Sequence, residues 1–244
     1  MAVMSCSSLR KIAAAACFLI ANATLAAAAE CDPAAVAAIT HPADHSNIAP
    51  ERRAQLGQRL QERSFPVLAL GDSIMSGWPT RDLAAAFNAD VLNLGFGTDG
   101  VEHVLWRLQT FDWSKQHPKY VLLLAGTNDL HFPQCAVEIG LPNLIRVIEQ
   151  RFPGAQLIVT SILPRGDSMK DRDAEIRALD AELAAHAKSG GYWYLDAHDA
   201  LTCGYRADCD LFQPLSYNRH PTSKGYEILD RLLAQLIAAR AAGR

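Results

Sequence analysis

The sequence predicts an α/β protein, a three-layer α/β/α sandwich around a central five-stranded, mainly parallel sheet. Two observations predict it. Short apolar runs bounded by turn residues alternate with segments of helical period along the chain beyond Cys31. Most of those runs are apolar throughout and do not alternate with polar residues, the pattern of strands covered on both faces.

Taken in order, residues 1–29 have the composition of a targeting segment. Arg10 and Lys11 precede an apolar stretch from Ile12 to about Ala21, and Ala27, Ala28 and Ala29 offer small residues ahead of Glu30. That layout predicts a secretory signal peptide cut after Ala29. The apolar run falls short of the roughly 20 residues that span a bilayer, so no stable membrane insertion is expected after its removal. The predicted location is secreted or periplasmic. Losing Arg10 and Lys11 takes the formal charge from -3 to -5.

Residues 30–64 read as an N-terminal extension with a helix from Pro50 to about Arg63, proline being tolerated in a first turn. From residue 65 to 244 the α/β pattern is continuous. Val67 to Leu70, Val91 to Leu94, Tyr120 to Ala125, Gln156 to Ile162 and Tyr192 to Leu195 are the strand candidates. Val101, Val104, Leu105 and Leu108 mark one face of a helix, as do Ile176, Leu179 and Leu183. A last helix starts at Thr222 or Ser223 and carries Ile228, Leu229, Leu232, Leu233, Leu236 and Ile237.

With 23 Lys plus Arg against 26 Asp plus Glu, and no long basic run, a nucleic-acid partner is not expected. Removal of the signal leaves Cys31, Cys135, Cys203 and Cys209, an even set suited to an oxidising compartment. Cys203 with Cys209 and Cys31 with Cys135 is the preferred pairing, against free buried thiols. No metal site is expected: His41 and His45 are separated by Pro42, and Asp196, His198 and Asp199 match no ligand spacing.

Ligands of an open α/β sheet collect beyond the carboxyl ends of its strands. There the chain places Gly71-Asp72-Ser73, then Asn93 followed by Gly95-Phe96-Gly97-Thr98, then Gly126-Thr127-Asn128-Asp129, while His220 sits just before the last helix. A serine at a strand-to-helix turn beside an imidazole, with amide donors for a developing oxyanion, is an acyl-transfer constellation. Asp72 and Asp129 read as turn-holding carboxylates, and Trp78, Trp106 and Trp113 as either core or acyl-pocket residues.

The order GDS, NLGFGT, GTND and a late histidine resembles the SGNH or GDSL-type serine hydrolases, from Phe65 to the last helix. The stretch VLNLGFGTDGVEHVLWRL from Val91 to Leu108, with ILPRG from Ile162 to Gly166, is similar to the catalytic subunits of the intracellular-type platelet-activating-factor acetylhydrolases and their bacterial relatives. The resemblance implies an SGNH, flavodoxin-like hydrolase domain over residues 65–244 and a carboxylic ester hydrolase that needs no cofactor. It makes Ser73 the nucleophile and first oxyanion donor, Asn128 the amide donor and His220 the general base. Where the family has its oxyanion glycine this chain has Thr98, with Gly97 one residue earlier; Thr98 is the expected donor and Gly97 the reserve. Where the family has an aspartate three residues before the histidine this chain has Tyr217, so Asp210, Asp208 or a backbone carbonyl is expected to orient the ring, Asp210 first. A Ser-His dyad remains open.

The expected activity is an exported esterase acting on short, foremost acetyl, esters, with a small acyl ester or an O-acetylated glycan as substrate. An O-acyltransferase on the same site, or a carbohydrate- or partner-binding module with an impaired site, are the alternatives. The sequence assigns no oligomeric state. A flavodoxin-like nucleotide binder fits less well, because no GxGxxG or P-loop follows a strand.

Overall fold

The computed structural model describes residues 31–44, 50–214 and 219–243. The described residues all fall in one unit, Cys31–Arg244. Five strands form its sheet: β1 (Val67–Gly71), β2 (Val91–Gly95), β3 (Tyr120–Leu124), β4 (Gln156–Thr160) and β5 (Trp193–Leu195). Their order is β2-β1-β3-β4-β5, and every pairing is parallel. The order reverses direction after β2, so the switch point lies between β1 and β3, beside Ser73 and Asn128.

Successive side chains of a strand point to opposite faces, and here both faces are apolar. Leu68, Leu70, Leu92, Leu94, Val121 and Leu123 enter one core. Val67, Ala69, Leu122, Leu124 and Ile158 enter the other. The first core is closed by α1 (Pro33–Thr40), α2 (Pro50–Glu62), α5 (Val101–Thr110), α6 (Gln134–Arg151) and α7 (Asp173–Lys188). The second is closed by α3 (Ser73–Gly77), α4 (Thr80–Phe87), α8 (His198–Leu201) and α9 (Ser223–Ala242). Both layers of the expected sandwich are therefore present, and the sheet is wholly parallel where the sequence predicted it mainly so.

The expected helical stripes lie on α5, α7 and α9, and Thr222 caps α9 through its hydroxyl. The structure adds α1, α4 and α6, which the apolar pattern did not reveal. Helix α1 presses Ile39 onto Gly140 of α6, where an added Cβ would come within 2.6 Å of Ile39 Cδ1. The Cys31–Cys135 disulfide ties the chain just ahead of α1 to α6, and Cys203–Cys209 closes the short loop ahead of α9. Both expected bridges are thus in place. Among the described residues no helix is long and apolar enough to cross a membrane.

Candidate active site

The Asp72 carboxylate builds the turn between β1 and α3, its Oδ1 accepting the Ile74 N–H at 2.7 Å. Asp72 is buried, and burial pushes its carboxyl up to about 7. Ser73 is the next residue and opens α3, half-exposed at the carboxyl edge of the sheet. The first N–H groups of a helix have no intrahelical acceptor, so the Ser73 N–H is one of the donors this turn offers.

His220 reaches Ser73 across 147 residues, with Nε2 2.8 Å from Oγ. The loop carrying it is held by backbone. Gln213 N–H donates to His220 O at 2.8 Å, Thr222 N–H to Leu211 O at 2.8 Å, and Phe212 bridges Pro221. Helix α9 is then fastened to α3: Tyr226 Oη donates to Ile74 O at 2.8 Å, and Trp78 Nε1 to Asp230 Oδ1 at 2.7 Å. Burial, and then the positive charge of Arg219, hold the His220 imidazole below its ordinary value of 6.5.

Asn128 lies on the turn after β3, with its Nδ2 donating to Asp99 O at 2.8 Å. A carboxamide has two N–H bonds, and fixing one sets the direction of the other. Asp129 does more than hold its own turn, because its Oδ1 accepts the N–H of Val101 at the start of α5, at 2.8 Å. Burial pushes this carboxyl, too, up to about 7.

The turn after β2 carries Gly97 and Thr98, both exposed at the rim. Asn93 steadies it from below, accepting the Gly95 N–H at 2.9 Å and donating to Met75 O at 2.7 Å and Trp78 O at 3.1 Å. Arg107, buried in α5, adds a second support that the sequence did not reveal. Its guanidinium pairs with Asp99 and reaches Gly71 O at 3.3 Å and Leu94 O at 3.4 Å, joining the ends of β1 and β2 to the Thr98-Asp99 turn. Desolvation lowers it to about 9.

Thr98 adopts φ 63°, the left-handed region where a β-branched residue is strained. Relief of that strain, about 1–2 kcal/mol, exceeds the roughly 0.5–1 kcal/mol that glycine costs in chain entropy. Thr98→Gly is therefore expected to raise the unfolding free energy slightly, by about 0.5 kcal/mol, in urea titration. A loss of similar size would show that the Thr98 hydroxyl, which donates to Gly97 O at 2.7 Å, outweighs the strain.

One expected position is corrected. The Asp210 carboxylate is exposed and pairs with Lys224 at 2.5 Å, so the fold does not bring it to His220. Lys224 sits in the first turn of α9 and captures the carboxylate outside the site. Asp210 acts on the loop through its carbonyl, which accepts the Thr222 hydroxyl at 2.8 Å. Asp208 faces Arg206. Among the described residues no carboxylate pairs with His220; Tyr217 and His45 lie outside them.

Trp78 and Trp113 are core residues, the latter donating to Arg107 O at 3.2 Å, and Trp106 is half-buried under Arg53. Asp196, His198 and Asp199 edge a cavity of about 170 Å³. His198 there spans Ile162 O and Asp173 Oδ1, both at 3.0 Å, and among the described residues no side-chain cluster could hold a metal ion.

A nucleophile-ready serine, an imidazole and an oriented amide at the switch point of a parallel sheet define a hydrolase of the α/β class. The family model described as GDSL-like Lipase/Acylhydrolase matches residues 69–228. The chain belongs to this family and is a carboxylic ester hydrolase. It is 29% identical over 190 residues to the human platelet-activating factor acetylhydrolase IB subunit alpha1, covering 73% of this chain and 79% of that one. It is 30% identical over 191 residues to the rat subunit alpha2, covering 72% and 78%. Among solved structures it is similar in fold to a GDSL-like lipase from Bacteroides thetaiotaomicron, with TM-score 0.60, 20% identity and coverage of 78% of this chain and 97% of that one. A lipase/acylhydrolase from Enterococcus faecalis gives TM-score 0.54, 23% identity and coverage of 73% and 96%.

Proposed function

We propose that the protein is an exported serine esterase that removes short acyl groups, acetyl foremost, through a Ser-His dyad. The observation that carries this reading is the 2.8 Å approach of His220 Nε2 to Ser73 Oγ beside the oriented Asn128 amide. Ser73 Oγ attacks the ester carbonyl carbon as its proton passes to His220 Nε2. The C–O bond to the alcohol breaks, and His220 returns the proton to the departing alkoxide. Water then attacks the acyl-serine with His220 as base, releasing the acid and restoring Ser73. The Ser73 N–H, the Thr98 N–H and the Asn128 amide hold the carbonyl oxygen while it is negative, with Gly97 N–H in reserve.

Similarity to chains named acetylhydrolases supports the short acyl chain, and a small acyl ester or O-acetylated glycan is the substrate class. Two disulfides suit an oxidising compartment and support cleavage of residues 1–29 with release to the periplasm or medium.

The test is labelling with a fluorophosphonate together with hydrolysis of p-nitrophenyl esters from acetate to palmitate. One adduct on Ser73 is expected, on a chain whose mass begins at Glu30, with acetate cleaved fastest. Because neutral His220 takes the proton, the labelling rate should rise with pH through a midpoint below 6.5 and level off above it. Preference for palmitate, or no label on Ser73, refutes the reading.

A further inference from the structure

We propose that Arg107 is the positioning residue of the oxyanion hole, one buried guanidinium that fixes the three turns carrying the Ser73 N–H, the Thr98 N–H and the Asn128 amide relative to one another. This deepens the esterase reading above and rests on it.

Arg107 lies on α5 with its side chain 1% exposed, and the side chain of its partner Asp99 is wholly buried. Nη1 pairs with the Asp99 carboxylate. Nη2 donates to Gly71 O at 3.3 Å, two residues before Ser73, and to Leu94 O at 3.4 Å, just before the Gly95-Phe96-Gly97-Thr98 turn. Gly71 O also accepts the Phe96 N–H at 3.2 Å, so the end of β1 and the turn after β2 meet on one carbonyl. The Phe96 ring centroid lies 4.6 Å from the Arg107 Cζ, which packs the same turn against the guanidinium.

Asp99 carries the connection to the third donor. Its carboxylate takes the ion pair, and its carbonyl accepts Asn128 Nδ2 at 2.8 Å, the bond that directs the other amide N–H. All three donor-bearing turns are thus tied to Arg107 directly or through Asp99.

A buried ion pair is a weak source of stability, because the cost of desolvating both charges offsets their attraction. An apolar pair can often replace it in that role. It cannot hold two strand-end carbonyls and a carboxylate with one planar fork. Oxyanion donors stabilise the transition state only at hydrogen-bond distance from the charged oxygen, and a displacement of about 1 Å can cost about 10²-fold in rate. Arg107 is buried behind the turns, so it acts through the donors and not on the substrate.

Two variants test this. Arg107→Lys keeps a positive charge for Asp99 and loses the fork, whereas Asp99→Asn keeps the carbonyl that receives Asn128 and loses the charge. In each, kcat for p-nitrophenyl acetate should fall about 10²-fold while KM stays within about threefold. The probe 1,1,1-trifluoroacetone adds reversibly to Ser73 Oγ and leaves its oxygen negative among the donors, so its binding should weaken by about the same factor as kcat/KM. The pH midpoint of fluorophosphonate labelling, which His220 sets, should not move. A purely structural pair would lower the urea midpoint and leave kcat per folded molecule unchanged. The inference is overturned if a folded variant keeps kcat within about threefold of wild type, or if the loss falls on KM with trifluoroacetone binding intact. Should Arg107→Lys not fold, Asp99→Asn decides; if neither folds, the pair is structural and the inference fails. Absence of Ser73-dependent hydrolysis in the wild type would end the esterase reading and this one with it, an outcome distinct from an active wild type with unaffected variants.

Discussion

Ser73→Ala is expected to abolish hydrolysis of p-nitrophenyl acetate, lowering kcat by roughly 10⁴-fold or more while leaving the fold intact. Removing Oγ deletes the atom that forms the acyl-enzyme, and His220 Nε2, 2.8 Å from it in the wild type, then faces a methyl group. What survives is stabilisation of the carbonyl oxygen by fixed donors, each contributing on the order of 10² to 10³ when water must attack directly. His220→Ala is expected to lose a comparable factor, because the hydroxyl then has no base to take its proton. The two residues act as a unit, so the double variant should be no slower than the worse single one. Ser73 is half-exposed and its backbone, not its hydroxyl, opens α3, so the melting temperature of Ser73→Ala should match the wild type. Activity within tenfold of wild type, with an unchanged melting temperature, would remove Ser73 from the chemistry.

The positions of the candidate site residues were legible in the sequence because they sit where local rules place them. A parallel strand buried on both faces is an unbroken apolar run, and the residue after it lies at the carboxyl edge of the sheet. Ser73 and Asn128 follow such runs, and His220 precedes a capped amphipathic helix. The direction of a side chain follows no such rule. Asp210 lies close to His220 in the chain, yet Lys224, in the first turn of α9, turns its carboxylate outward. Arg107 occupies a helix position that periodicity alone leaves unassigned, and only the meeting of β1, β2 and the Thr98-Asp99 turn reveals why it is buried. The direction of the Arg165 guanidinium likewise depends on Thr127, 38 residues away.

Helices α1 and α6 escaped for a different reason. Helix α6 contains Gly140 and Pro142, two residues that disfavour a helix interior, and tertiary contact overrides both. Gly140 is needed because Ile39 fills the space where its side chain would stand. Helix α1 is eight residues, four of them alanine, with one buried residue, Ile39, so its apolar stripe is too narrow to stand out. Thr98 shows the reverse case. Its place in a glycine-rich turn signals positive φ, and the fold imposes that conformation on a residue ill-suited to it.

The dependence of α1 on tertiary contact gives the Cys31–Cys135 bridge a large expected effect. An eight-residue helix is below the length at which isolated helices persist, so α1 is held by Ile39 against α6 and by the disulfide. The bond spans a sequence separation of 104 residues, and chain-entropy theory assigns about 4.7 kcal/mol to closing a loop near that length. Cys203–Cys209 spans only 6, for which the same relation yields about 2.2 kcal/mol. Replacing Cys31 and Cys135 together by serine should thus lower the unfolding free energy in urea by about 2–4 kcal/mol, more than the corresponding change at Cys203 and Cys209. Amide exchange should accelerate first in α1, because local release of that helix becomes the lowest opening of the fold. Ile39 and Leu229 lie in the two different cores, so α1 and the α9 helix that follows His220 cover opposite faces of the sheet. The loss therefore belongs to stability and not to the geometry of the dyad, and fluorophosphonate labelling of the folded double variant should separate the two. Equal destabilisation from the two bridges, or protection of α1 unchanged without the bond, would show that Ile39 alone secures the helix.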